Sequence, residues 1–213
     1  MLSGETMLRH EKVDTNDYLV DNIWFMETDI KHFFRLLAPF SEEELQEAGK
    51  FFFTEYLRKK DLFCQEGQVC QKVAFVKHGI LRSFFTNGDM ESTTFFQVPH
   101  SIAVALKSFV EKKPAQENIQ ALLDTEIIAI LRNDLYQLYA GNWKWQQVGR
   151  MVIESYYIKQ EQRMLMIQSV SAKERYQQFL RSYPEVIRKI PLHYVASYLG
   201  ISPETLSRIR RSI

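Results

Sequence analysis

Cysteine is scarce in this chain: Cys64 and Cys70 are the only two in 213 residues. Neither has a second cysteine or a histidine at ligand spacing, which excludes a zinc site and an iron–sulfur cluster. Two buried free thiols are expected instead, as suits a reducing cytosol. Long apolar runs are also missing. The stretch Tyr18–Met26 is interrupted by Asp21 and Asn22, so it makes neither a signal peptide nor a membrane span of about 20 residues. Histidines stand apart at His10, His32, His78, His100 and His193. With no His-x-His pair, glycine-rich phosphate loop or Ser/His/Asp set, neither an enzyme nor a bound cofactor is expected.

Charge of one sign is lacking too, since the formal net charge is +1. No field of the whole molecule therefore draws in nucleic acid. The distribution is uneven, however. From Ser171 to Ile213 eight Lys and Arg face three Glu, which makes this stretch +5 and leaves the remainder at −4. A basic tail on an acidic body is the pattern of a segment that meets phosphate.

The hydrophobic fraction is 46%, enough for a substantial core. Residues 1–28 have no pattern and read as a frayed or partly helical extension. From Asp29 the chain turns helical, with Ile30, Phe33, Phe34 and Leu37 on one face before Pro39. Ser41 followed by three glutamates starts a second helix. Between Phe51 and Leu131 the character changes to short runs of Phe, Val, Ile and Thr separated by turns. Lys72–Thr86 breaks at Gly79, Asn87-Gly88 suits a type I′ turn, and Met90–Val98 returns as the second arm. Many short strands without long intervening helices indicate a sandwich or barrel. Residues 29–140 are therefore taken as a β-roll with flanking helices, and the fold class as α+β.

Helical spacing resumes at Asn133, with a break near Gly141-Asn142. Val148, Met151, Ser155, Ile158, Gln162 and Leu165 then recur by threes and fours, an a/d seam along residues 141–169. A helix this long is expected to pair with its twin in a homodimer.

Residues 170–213 carry the clearest functional signal. Pro191 sits at a helix start, and Leu192, Val195, Ala196 and Leu199 form a buried face. Gly200 permits the positive φ of a sharp turn. Ser202 is a good N-cap, Pro203 a good first helical residue, and Glu204 lies in the acid-favouring first turn. Leu206, Ile209 and Ile213 point inward at helical spacing. Glu204, Ser207, Arg208 and Arg211 point outward, where arginine can take guanine and glutamate can accept from cytosine. Arg210 and His193 are placed for phosphate. The pattern predicts a helix-turn-helix that reads double-stranded DNA.

This tail, above all Ala196–Arg211, resembles the Crp/Fnr family of transcription regulators. Gln65–Cys70, Phe75–Arg82 and Asn118–Ala121 are weaker supporting matches. The resemblance covers residues from about 29 to 213. It implies a cyclic-nucleotide-binding-like β-roll, a dimerising helix and a helix-turn-helix acting on a palindromic operator, with RNA polymerase as a further partner. It also implies that Glu204 and Arg208 stand where the family reads bases.

The effector end departs from the pattern. Where cyclic-nucleotide binders place a glutamate for ribose and an Arg-Ser pair for phosphate, this chain has Ala105, and Ala115 with Gln116. A buried phosphate needs a bidentate cation, and Lys112 and Lys113 read as solvated surface. Cyclic AMP is therefore not expected, and the effector is unknown or absent. A haem would have only His78 or His100 to choose from. The chain stops at Ile213, so the domain is expected to lack a wing, with weaker phosphate contacts. The alternatives are a β-roll module that binds a ligand or protein without reading DNA, and a cupin-like enzyme.

Overall fold

The computed structural model describes residues 30–212. The expected N-terminal extension over 1–28, and the inward role of Ile213, lie outside the described residues. Two short helices come first, α1 (Ile30–Leu37) and α2 (Glu42–Gly49). Helix α2 begins with a capping box: the Ser41 hydroxyl accepts the amide of Glu44, whose carboxylate returns to the amide of Ser41. Two orphan amides are thereby satisfied.

Two four-stranded antiparallel sheets follow. One has the order β1 (Phe52–Leu57), β8 (Thr125–Leu131), β3 (Lys72–His78), β6 (Ile102–Ala103). The other runs β2 (Leu62–Cys64), β7 (Asn118–Ala121), β4 (Leu81–Asn87), β5 (Met90–Gln97), which leaves β5 at an edge. Their inner faces meet around Leu81, Ala103, Ile119 and Ile127, each wholly buried. Cys64 and Cys70 are free thiols in this core. Helix α3 (Leu106–Glu111) lies in the crossover between β6 and β7.

The β4–β5 hairpin corrects one turn expectation. Asn87 pairs with Met90, so the two loop residues are Gly88 and Asp89. Of these only Gly88 has a positive φ, at 59°. A type I′ turn requires positive φ at both central residues, whereas a type II′ turn requires it at the first alone. The glycine takes that first place, and the whole turn moves one residue along.

Helix α4 (Arg132–Gly141) leads into α5 (Trp143–Ser169), 27 residues long, with Asn142 as its N-cap. The break falls at Gly141-Asn142, where the sequence places it. Trp145, Val148 and Met151 pack with Phe33, Phe34 and Leu37 of α1 in a second core beside the roll. Four more helices complete the chain: α6 (Ala172–Ser182), α7 (Pro184–Lys189), α8 (Leu192–Tyr198) and α9 (Pro203–Arg211). Among the described residues no helix is long and apolar enough to cross a membrane.

Candidate nucleic-acid interface and adjoining cavities

Helices α8 and α9 form the predicted pair. Val195, Ala196 and Leu199 are wholly buried, and Gly200 turns the chain with φ 64°. Its amide reaches Ser197 O at 3.1 Å, and the amide of Ile201 reaches Ala196 O at 3.1 Å, satisfying carbonyls at the end of α8. The hydroxyl of Ser202 accepts the Thr205 amide at 3.2 Å and Pro203 opens α9. Leu206 is buried and Ile209 partly so, pinning α9 to the core shared with α6 and α8.

Glu204, Ser207, Arg208, Arg210 and Arg211 are all exposed on α9, and His193 is exposed on α8. Ser202 and the amide of Glu204 itself hold the Glu204 carboxyl below its ordinary pKa, with nearby Arg208 adding to the effect. It is an anion at neutral pH and can accept a hydrogen bond. The arginines end the helix where its carbonyl dipoles favour cations, and Arg211 Nε bonds back to Ser207 O at 3.4 Å. One face of α9 is thus buried, and the other presents one carboxylate and three guanidinium groups to solvent.

The helix pair does not stand free of the roll. Phe96 of β5 enters its core, with ring centroids 5.3 Å from Tyr198 and 5.9 Å from Phe179. Ile80, just before β4, and Leu122, just after β7, join Phe96 in this core. The hydroxyl of Ser197 accepts the amide of Thr93 and donates to Glu91 O. From α5, Arg163 Nη2 donates to Thr93 O at 3.0 Å and Tyr198 O at 3.2 Å. Arg82 of β4 is fully buried between the rings of Phe84 and Tyr194, at 3.9 and 3.8 Å, and pairs with Glu91 at 2.5 Å. None of these ties was foreseen. An arginine inside an apolar strand is the one signal that marks Arg82, since such a cation is buried only with a partner.

The residues of the expected dimer seam differ in exposure. Val148, Met151 and Ser155 are buried within the chain, the first two against its own helices. A residue already covered has no area left to offer a twin. Ile158 is half-buried, and Gln162 and Leu165 are exposed. Besides Leu165, at 51%, the exposed apolar residues of α5 include Ile153, Tyr157 and Met164, at 44%, 66% and 53%. The last three recur by four and seven and form a second apolar line along the helix, roughly opposite Val148 and Met151.

Of the cavities that adjoin the roll, two have polar groups in their walls that bear on an effector. The smaller, of about 220 Å³, lies against α3 and is lined by Ala105, Lys107, Ser108, Ala115 and Gln116 among others, with no arginine. Its serine is engaged: Ser108 Oγ accepts the amide of Cys70 at 2.9 Å and donates to Lys113 O. Lys107 Nζ meets Gln116 Oε1 at 3.4 Å. The larger, of about 570 Å³, opens between β5, α5 and α6. His78 and His100 are apart from both, and among the described residues no cluster suits a metal ion.

Residues 54–142, spanning most of the roll and α4, match the family model of the cyclic nucleotide-binding domain. No sequence among curated proteins matches the chain. Solved structures do. FixK2 from Bradyrhizobium japonicum is 20% identical with a TM-score of 0.64, over 76% of this chain and 83% of its own. The c-di-GMP-responsive global regulator CLP of Xanthomonas campestris is 10% identical with a TM-score of 0.65, over 81% and 91%. A protein from Eubacterium rectale assigned to the Crp/Fnr family of transcriptional regulators is 15% identical with a TM-score of 0.64, over 81% and 83%. At these identities the likeness establishes a shared fold.

Proposed function

We propose that this chain, which carries a cyclic nucleotide-binding domain in the fold of the Crp/Fnr regulators, is a homodimeric transcription regulator that reads double-stranded DNA through α9. The observation that carries this reading is the division of α9. Leu206 anchors it in the core, while Glu204, Ser207, Arg208 and Arg211 stand exposed on the opposite side. A helix held in this way can enter a major groove and bring donors and an acceptor to base edges. Arg210 and His193 flank the stripe and would take phosphate, fixing orientation without reading sequence.

Two copies paired along α5 would present two such helices to successive major grooves of a palindromic site, about 34 Å apart. The exposed Ile153, Tyr157 and Met164 are the side chains this pairing would cover. Cyclic AMP is not the effector in this reading. The cavity at α3 has Ala105 and Ala115 where ribose and phosphate need an acceptor and a cation, and its serine is already committed to the backbone. The protein would act in the cytoplasm as a regulator with no catalytic role, and RNA polymerase is the further partner such a regulator meets.

The test is selection of bound fragments from random duplex DNA. Enrichment of a palindrome is expected, with loss of roughly tenfold or more in affinity on Arg208→Ala, equivalent to about 1–3 kcal/mol. No enriched sequence, together with wild-type binding by Arg208→Ala, would overturn the reading.

A further inference from the structure

The 570 Å³ cavity lies where three parts of the chain converge. The roll contributes Ser83, Phe95 and Gln97, helix α5 contributes Tyr156 and Arg163, and α6 contributes Arg181. Its size falls within the range of small-molecule sites, roughly 300–1,000 Å³. It is separate from the cavity at α3, with Glu117 alone in the lining of both.

Several features of its wall lack a counterpart among the described residues. Gln97 is 5% exposed, and its Oε1 has no hydrogen-bond partner although its Nε2 donates to Ser83 Oγ at 2.7 Å. That bond fills a lone pair of the Ser83 hydroxyl and leaves its proton to donate. Arg163 Nε is buried and unpartnered as well. Among the described residues no carboxylate forms an ion pair with Arg163 or Arg181. Burial lowers the pKa of the Arg163 guanidinium, the expected direction for a cation withdrawn from water without an anion beside it. The Phe95 and Tyr156 rings stack at 5.5 Å, almost parallel at 15°, and give the wall an aromatic surface.

We propose that this cavity is the effector site and takes a small aromatic carboxylate, whose anion meets Arg163 and Arg181 and whose ring lies against Phe95 and Tyr156. The acid group supplies the anionic partner that neither guanidinium group has among the described residues, and a bidentate Arg–carboxylate pair is the strong form of that contact. The ring supplies apolar area where the wall is aromatic. Gln97 Oε1 requires a donor, which a ring hydroxyl or amino substituent would provide. Glu117, on the roll side, disfavours a second acid group at the far end of the ligand.

The position gives such a ligand leverage. Arg163 is the residue that ties α5 to Thr93 O and Tyr198 O, and so to both the roll and the helix pair. A carboxylate on its free edge draws on the same guanidinium that holds α8 against β5. Binding would therefore bias the docking of α8 and α9 through its differential affinity for the docked and undocked arrangements. This regulatory consequence rests on the DNA-reading proposal, whereas the binding site does not.

The experiment is a fluorescence titration of the full chain with 1-anilinonaphthalene-8-sulfonate, followed by displacement with 1-naphthoate and with the uncharged 1-naphthamide. Saturable binding of one dye per chain is expected, with naphthoate displacing at a concentration at least tenfold below that of the amide. Arg181→Glu, at the exposed edge, should weaken dye and naphthoate binding at least fivefold. Arg163→Gln should do so more strongly, and circular dichroism checks that it folds. Equal displacement by acid and amide would overturn the proposal, as would absence of saturable binding or unchanged affinity in folded Arg181→Glu. A chain that binds naphthoate but enriches no DNA refutes the DNA reading alone. One that enriches a palindrome but shows no preference for the acid refutes the effector site alone.

Discussion

Ser197 is hydrogen bonded to the two backbone groups that flank Ser92, near Thr93: its hydroxyl accepts the Thr93 amide at 2.9 Å and donates to the carbonyl of Glu91 at 2.8 Å. Strand β5 is an edge, and an uncovered edge is a template for unwanted pairing. Here a helix of the C-terminal pair covers it with a side chain that imitates a neighbouring strand. Ser197→Ala leaves one buried donor and one acceptor unsatisfied. A loss of about 1–2 kcal/mol is expected, or roughly 3–6 °C in Tm for a chain of this size. Faster hydrogen exchange at the Thr93 amide would locate the loss at this contact.

The same interface buries a charge. Arg82 has its guanidinium between two rings, with Nε and Nη1 unpartnered and Nη2 on Glu91, which is itself half exposed. Removing one partner of a buried pair costs more than replacing the buried cation with an apolar side chain of similar volume. Glu91→Ala should therefore destabilise by about 2–4 kcal/mol, and Arg82→Met by clearly less. Urea denaturation of both variants checks the order, and the reverse order would show that the two stacked rings carry the interaction.

Much of this architecture is legible in the sequence, for physical reasons that differ by element. Gly200, Ser202 and Pro203 announce the turn and start of α9 because each satisfies a strict local requirement. The break at Asn142 is equally local, since its side chain caps α5 by accepting the Lys144 amide. The face of α5 is another matter. Periodicity reports that a helix has an apolar side, but Val148 and Tyr157 are both apolar-compatible, and only the position of α1 decides which is covered. The docking of α8 on β5 and the cavity at Arg163 are likewise set by tertiary contacts between residues far apart, such as Thr93 and Ser197. No local pattern encodes those.

The proposed pairing along α5 allows a direct test of which face forms the seam. Tyr157→Glu puts a charge on the exposed side and should yield a monomer by light scattering at micromolar concentration, with helicity retained. Val148→Ala instead removes buried volume beside Phe34 and Trp145, and should lower stability by about 1–3 kcal/mol without changing the mass. A monomer from the Val148 variant with an intact dimer from the Tyr157 variant would return the seam to the other face.

Gly79 joins β3 to β4 with φ 96°, a region in which side chains are strained. A Cβ there would lie 2.3 Å from Thr125 Oγ1 and 2.6 Å from Thr125 Cα, so the neighbouring backbone has to move. Strain and overlap add. Gly79→Ala is expected to cost more than about 2 kcal/mol, seen as a lower denaturation midpoint with an unchanged slope. Gly88 also has a positive φ but nothing within 4 Å of its would-be Cβ. Gly88→Ala should accordingly lose less, because strain acts there alone.

Glu117 lies between the two cavities, and burial pushes its carboxyl up to about 7. The folded protein therefore holds this proton more tightly than the unfolded chain, in which the carboxyl titrates near 4.5. Between these values the native state binds more protons, so stability falls as pH rises. The contribution is complete below pH 4.5 and is lost as pH passes through about 7. Glu117→Gln keeps the shape and removes the titration. The variant should match the wild type in Tm near pH 4.5, gain on it steadily above that, and hold a constant advantage beyond pH 8. Discounted for partial exposure, the plateau should be on the order of 5 °C. Thermal melts across this range check the sign as well as the size: a wild type that gains on the variant with rising pH would mean that an unrecognised cation stabilises the carboxylate.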